Sequence, residues 1–225
     1  MRSRNLNALV VITGALVALP FAQAVTTVIP ANSFSSYSTF ETYWNYLYPW
    51  GSDHNGSARM KGRNAYTISG EFSAPVARGT WPAFWLTVTV LIDSILIILT
   101  DFYSCKGVNS WPPEVDIGEW KGTSDNWFNT FNTSSIVRSD LVSWPSDLSF
   151  HSIKAVLTAQ PNNADVKIEF YMDNVLRATQ YGQNFVGQPL WLIVNLQMEG
   201  SSGSPGPTGT TMYKVRNIAI TRTGS

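Results

Sequence analysis

The chain is poor in charge, in histidine and in cysteine, and each shortage excludes something. Only 13% of the 225 residues are charged and the formal net charge is zero, so no basic face is available for nucleic acid. His54 and His151 lie far apart and make no metal-ligand cluster. A glycine-rich phosphate loop is absent, so neither a metal nor a cofactor is expected. The single cysteine, Cys105, excludes an intramolecular disulfide. No amphipathic helix pattern stands out, and no C-terminal hydrophobic tail suggests a lipid anchor. The apolar stretch from Ala8 to Phe21 is interrupted by Gly14 and Pro20 and is shorter than the ~20 residues a membrane span needs. With Arg2 and Arg4 before it and Ala22-Gln23-Ala24 after it, it reads as a secretion signal over residues 1–24. The mature chain is then expected to start at Val25, to be secreted to the extracellular space or cell wall, and to have no membrane association.

What the chain does have is aromatic side chains, with nine Trp and nine Tyr, and a regular series of strand patterns. Val166, Ile168, Phe170 and Met172 alternate with Lys167, Glu169 and Tyr171, and Asp173-Asn174 supplies a hairpin turn into Val175-Leu176. Ile153, Ala155 and Leu157 alternate in the same way. Many such strands, punctuated by turn residues, predict an all-β jelly-roll sandwich of two antiparallel sheets. The sequence divides into a Ser/Thr-rich lead-in over residues 25–38 and one domain over 39–225, expected to be a monomer.

The densest chemistry lies in Glu114-Val115-Asp116-Ile117-Gly118-Glu119. Along a strand, side chains alternate faces, so Glu114 and Asp116 share one face and Glu119 is out of phase. A β-bulge at Ile117-Gly118 returns Glu119 to the face of the other two, and Gly118 makes such a bulge cheap because it tolerates a positive φ. Two glutamates brought close on one strand suit a retaining glycosidase, with one attacking the sugar and the other protonating the leaving oxygen. Taken without its surroundings, the same spacing also describes a solvated acidic strand edge.

The surroundings favour chemistry. Gly79-Thr80-Trp81-Pro82-Ala83-Phe84-Trp85-Leu86 precedes the acidic motif, and Trp111-Pro112-Pro113 leads into it. Together they resemble glycoside hydrolase family 16, whose signature is E-x-D-x-x-E or E-x-D-x-E after a G-T-W-P-A-x-W segment. Phe150-His151-Ser152-Ile153-Lys154, Phe170-Tyr171-Met172-Asp173 and Pro189-Leu190-Trp191-Leu192-Ile193-Val194-Asn195-Leu196 extend the resemblance. It implies a concanavalin A-like jelly roll and a polysaccharide substrate. It also implies Glu114 as nucleophile, Glu119 as general acid and base, and Asp116 as a hydrogen-bonding neighbour that tunes Glu114. The implied reaction is retaining hydrolysis of a β-linked polysaccharide, with β-1,3- or mixed β-1,3/1,4-glucan expected. Transglycosylation of cell-wall glucan and non-catalytic glycan binding on the same scaffold are the alternatives.

Flat rings with a polar edge suit the apolar faces of sugars. Trp81, Trp85, Trp111 and Trp120 are therefore candidate platforms, with core packing expected to claim at least two of them. On the strand from Trp191 to Met198, Leu192, Val194, Leu196 and Met198 form one apolar face. Trp191, Ile193, Asn195 and Gln197 form the other, where amides beside a tryptophan need hydrogen-bonding partners. Asn55 is a further candidate for sugar contact. Asn132 stands where the family often has a histidine, and His151 is expected to be structural. Asn55-Gly56-Ser57 and Asn132-Thr133-Ser134 are also glycosylation sequons.

Two irregularities interrupt the resemblance. Residues 88–106 separate two segments that the family runs together, and they form a β-prone apolar run that would aggregate if exposed. An intron retained in frame accounts for this segment and for Cys105 within it; a lineage-specific loop is the other account. Near residues 60–66, strands that the family carries are missing, which removes part of the expected cleft wall.

Overall fold

The structure is a computed structural model describing residues 24–47, 53–59, 65–88, 111–198 and 206–223. Except for Ala24, the expected signal segment lies outside these residues. The suspected insert is likewise outside except for Val88, and the region of suspected strand loss is described only from residue 65 onward.

Among the described residues, the strands in chain order are β1 (Val25–Ile29), β2 (Asn45–Leu47), β3 (Asp53–Arg59), β4 (Ala65–Ser73), β5 (Thr80–Val88), β6 (Glu114–Glu119), β7 (Asp125–Thr133), β8 (Ile136–Ser143), β9 (His151–Ala159), β10 (Val166–Met172), β11 (Val175–Gly182), β12 (Pro189–Met198) and β13 (Lys214–Thr223), with one helix, α1 (Tyr37–Tyr43), between β1 and β2. They form two antiparallel sheets. The outer sheet runs β1-β13-β4-β9-β10-β11, and the sheet that carries the acidic motif runs β2-β3-β12-β5-β6-β7-β8. This is the expected jelly-roll sandwich.

Alternation accounts for the packing. Every second residue of β10 is buried, as are Ile153, Ala155 and Leu157 of β9. Asp173 and Asn174 make the hairpin turn at φ 50° and 62°, the left-handed geometry that Asp and Asn tolerate better than most residues. Aromatic rings bridge the sheets. Phe72 of β4 meets Phe84 of β5 at 4.7 Å between centroids, and Phe128 of β7 meets Phe170 of β10 at 4.8 Å.

The lead-in is more ordered than its composition suggested. β1 pairs with β13, so residues 25–29 belong to the sandwich. Tyr37–Tyr43 form α1, capped by the Ser36 side chain, which accepts from Thr39 N. No apolar periodicity announces this helix. Beside it, Phe34 and Phe40 stack on Trp44, so tertiary contact supports what propensity does not. The apolar face of β12 also ends sooner than expected, because Leu196 is 37% exposed.

The bulge in β6 is where the sequence put it, but Gly118 serves it differently. Trp85 faces Asp116 and Phe84 faces Gly118, which leaves Ile117 as the extra residue. Gly118 has no left-handed φ. Its missing side chain is what matters, since a Cβ there would meet the Trp120 ring at 2.8 Å. Trp120 is fully buried against Phe72, Trp144 and Tyr213, so it is core and not a sugar platform. Gly118→Ala should therefore displace Trp120 and cost about 1–3 kcal/mol of stability by overpacking. Chemical denaturation would measure this, and an unchanged midpoint would refute the packing argument.

Candidate functional site

β6 presents its two faces to two environments. Val115 and Ile117 point into the sandwich and are fully buried. Glu114, Asp116 and Glu119 stand opposite Thr87, Trp85 and Ala83 of β5. On the next strand, Trp191, Ile193, Asn195 and Gln197 stand opposite Thr87, Trp85, Ala83 and Trp81. On the other side, Phe131 and Asn129 of β7 stand opposite Glu114 and Asp116. One sheet face thus gathers the acidic motif, the tryptophans and the amides.

Every carboxylate has a donor, and Asp116 and Glu119 share one. Trp111 Nε1 donates to Glu114 Oε2 at 2.8 Å, and Thr87 adds a side-chain hydrogen bond. Trp81 Nε1 donates to Glu119 Oε1 at 2.8 Å, and Lys121 Nζ lies 3.2 Å from the same oxygen. Asn129 Nδ2 reaches Asp116 Oδ2 at 2.9 Å and Glu119 Oε2 at 2.7 Å. The backbone N–H of Glu119 donates to Asn126 Oδ1 at 2.9 Å. Asp116 and Glu119 are both only 5% exposed, so these bonds replace water.

Burial and crowding set the protonation. Desolvation pushes the Glu114 carboxyl up to about 7; the Glu119 charge adds to the rise, while Trp111, Thr87 and Lys121 oppose it. Asp116 is pushed well above the ordinary range by desolvation first and then by repulsion from Glu114 and Glu119. Glu114 and Asp116 therefore resist ionising together.

The expected sugar-binding residues differ in where the fold puts them. Trp111 is 45% exposed and lies against Phe131 at 5.3 Å while holding Glu114, so it stands beside the motif with ring surface to spare. Trp85 donates to Asn195 Oδ1 at 3.1 Å. The buried Asn195 Nδ2 and Trp191 Nε1 have no protein partner among the described residues, while Gln197 is exposed. Asn55 pairs with Ile193 in the register of β3 with β12, which puts its backbone in the same sheet.

Asn132 is the exception. Its Nδ2 donates to Tyr181 O at 3.2 Å and its Oδ1 accepts from Gln183 N at 2.8 Å, so it fastens β7 to the outer sheet. These bonds turn it away from the carboxylates. Asn129 is the amide that reaches them. Asp116 likewise accepts its hydrogen bond from Asn129, whereas its action on Glu114 is repulsion. His151 is structural, bound to Asp173 at 2.8 Å and Asp147 at 3.1 Å. No group of three or more metal-ligating side chains occurs among the described residues.

No protein-family model matches the chain. A galactan endo-β-1,3-galactanase of Flammulina velutipes is 54% identical, and the match covers 92% of this chain and 94% of that protein. It runs over 256 positions, more than this chain's own length, so the relative has stretches with no counterpart here. Among solved structures, an endo-β-1,3-glucanase of Pyrococcus furiosus superposes with TM-score 0.55 at 16% identity, over 80% of this chain and 71% of that one. An endo-1,3-β-glucanase of Streptomyces sioyaensis does so with TM-score 0.52 at 18% identity, over 80% and 74%. These two show the fold. With its acidic strand on that fold and a relative of such identity over nearly its whole length, this chain belongs to glycoside hydrolase family 16, as an endo-acting hydrolase of β-linked polysaccharide.

Proposed function

We propose that the chain is secreted and cleaves internal β-1,3 linkages of a galactan with retention of configuration. The galactan is favoured over a glucan because the relative at 54% identity is named an endo-β-1,3-galactanase, whereas the glucanase neighbours share little beyond the fold. The observation that carries the mechanism is the set of three carboxylates on one sheet face, held by the Trp111 and Trp81 indoles and by the Asn129 amide that Asp116 and Glu119 share.

In the first step, ionised Glu114 bonds to the anomeric carbon as the glycosidic C–O bond breaks. Its electron pair goes to the leaving oxygen, which takes the proton of Glu119. Trp111 holds Glu114 Oε2, which orients the attacking carboxylate. In the second step Glu119, now a carboxylate, takes a proton from water, and the water oxygen displaces Glu114 from the sugar. Asp116 keeps negative charge beside Glu114 or holds a proton, according to pH. Trp111, Trp85 and Phe131 offer ring surface, and the unpaired donors of Asn195 and Trp191 match sugar hydroxyls or ordered water.

Three outcomes test this reading. Glu114→Gln should abolish turnover and retain oligosaccharide binding. With Glu114→Ala, azide should restore consumption of an activated substrate as a glycosyl azide of inverted anomer. Full turnover by the glutamine variant would remove Glu114 from the role.

The pH profile gives a second test. Glu114 must be ionised to attack, and its carboxyl is pushed up to about 7, so kcat/KM should rise with pH through a limb near neutrality. A limb at the ordinary glutamate value of about 4.3 would contradict it.

Product analysis on β-1,3-galactan, laminarin, lichenan, agarose and xyloglucan gives the third. Galacto-oligosaccharides of several lengths, first released as the β anomer by proton NMR, are expected. Cleavage confined to laminarin would replace galactan by glucan, and products longer than the substrate would replace hydrolysis by transglycosylation.

A further inference from the structure

Lys121 follows the acidic motif by two residues, and alternation returns it to the face of Glu119 while Trp120 turns into the core. Its ammonium lies over the Trp81 ring at 5.1 Å and the Trp127 ring at 5.3 Å. Between those rings it reaches Glu119 Oε1 at 3.2 Å, the oxygen that also accepts from Trp81 Nε1. Gly122 follows at φ 64°, in the turn that leads the chain into β7 and brings Trp127 beside the lysine. A lysine side chain ordinarily swings through many rotamers. Here, two indoles and one carboxylate fix it, and it is 25% exposed.

We propose that Lys121 is a positioning residue for the reaction. Held between Trp81 and Trp127, it fixes the carboxyl of Glu119 and stabilises the charge that forms there when its proton passes to the leaving sugar oxygen. The inference rests on Glu119 being the acid. The charged groups that face Lys121 are Glu119, Glu114 and Asp116, all of β6. β5 contributes Trp81, and β7 contributes Trp127 and Asn129, none of which titrates in the relevant range. Lys121 attracts negative charge onto Glu114 and Asp116 as well, holding both carboxyls lower than they would otherwise be. Its removal should therefore move the acidic limb of kcat/KM to higher pH.

The test compares two leaving groups. A dinitrophenolate departs without a proton, whereas a sugar alkoxide needs one. Lys121→Met should lose about tenfold or more in kcat/KM on the polysaccharide, the scale expected of a charge-assisted contact to an acting group. Compared at a pH above the limb, it should lose at most about twofold on the dinitrophenyl glycoside of an oligosaccharide released from that polysaccharide, since general-acid help is not needed there. Lys121→Arg should restore both the polysaccharide rate and the position of the acidic limb. Near-UV circular dichroism checks the fold, and Lys121→Gln takes the place of the methionine variant if that one does not fold. Equal losses on the two substrates, or a limb that stays in place, would overturn the proposal and leave Lys121 with packing alone. Glu119→Ala on the same pair separates the two readings. If it spares kcat/KM for the dinitrophenyl substrate, while kcat falls for want of a base in the second step, Glu119 is the acid and any failure belongs to Lys121. If it loses equally on both, the assignment of Glu119 fails, and the proposal with it.

Discussion

Three carboxylates within six residues of one strand repel one another, and burial strengthens the repulsion because little water remains to screen it. Asp116 and Glu119 are nearly sealed from solvent, so their negative charge depends on donors supplied by the protein. The surrounding sheet supplies them from three directions. β5 gives the Trp81 indole, β7 gives the Asn129 amide, and the turn after β6 gives Lys121. Only an antiparallel sheet with β6 between β5 and β7 brings these groups to one face. The order of strands is therefore part of the electrostatics.

The compensation is partial, and that serves the chemistry. Glu114 has an indole and a hydroxyl as donors, yet desolvation and the neighbouring charge still push it up to about 7. A fully compensated trio would be ionised throughout and would have no proton to give a leaving group. A fully uncompensated one would be neutral and without a nucleophile. Desolvation and mutual repulsion, opposed by donors of unequal strength, leave Glu114 and Asp116 between these extremes. The single amide of Asn129 links Asp116 to Glu119, so a charge change at one oxygen is felt at the other.

Most of this was legible in sequence wherever it rested on local period. The alternation of β9 and β10, the turn at Asp173-Asn174 and the bulge within Glu114–Glu119 all follow from period two and turn chemistry. The burial of Trp120 follows from the same alternation once Glu119 is placed on the open face. What needed the fold was partnership across strands. Asn129 and Asn132 look equivalent in sequence, and only the pairing of Asp116 with Asn129 separates an amide on the carboxylates from one on the outer sheet. Lys121 carried no motif, and its role appears only when Trp81 and Trp127 close around it. β1 and α1 were hidden for a similar reason, since the β13 edge and the aromatic stack at Trp44 hold them in place.

The exit from the bulge also ties the open face of the sheet to its core. Gly118 has no side chain because the Trp120 ring lies over it. Trp120 packs on Trp144 at 4.8 Å, and Trp144 packs on His151 at 5.3 Å. His151 is in turn held by Asp147 and by Asp173 in the β10–β11 turn. Burial alone would lower the histidine's affinity for a proton, but its two aspartates win and raise it. This chain of rings fixes where β6 leaves the bulge, and the backbone of Glu119 is the next residue before it. Packed interiors transmit displacement because they have few voids to absorb it. The direction of the Glu119 carboxyl is therefore set partly on the open face, by Trp81, Asn129 and Lys121, and partly by aromatic packing in the core behind it.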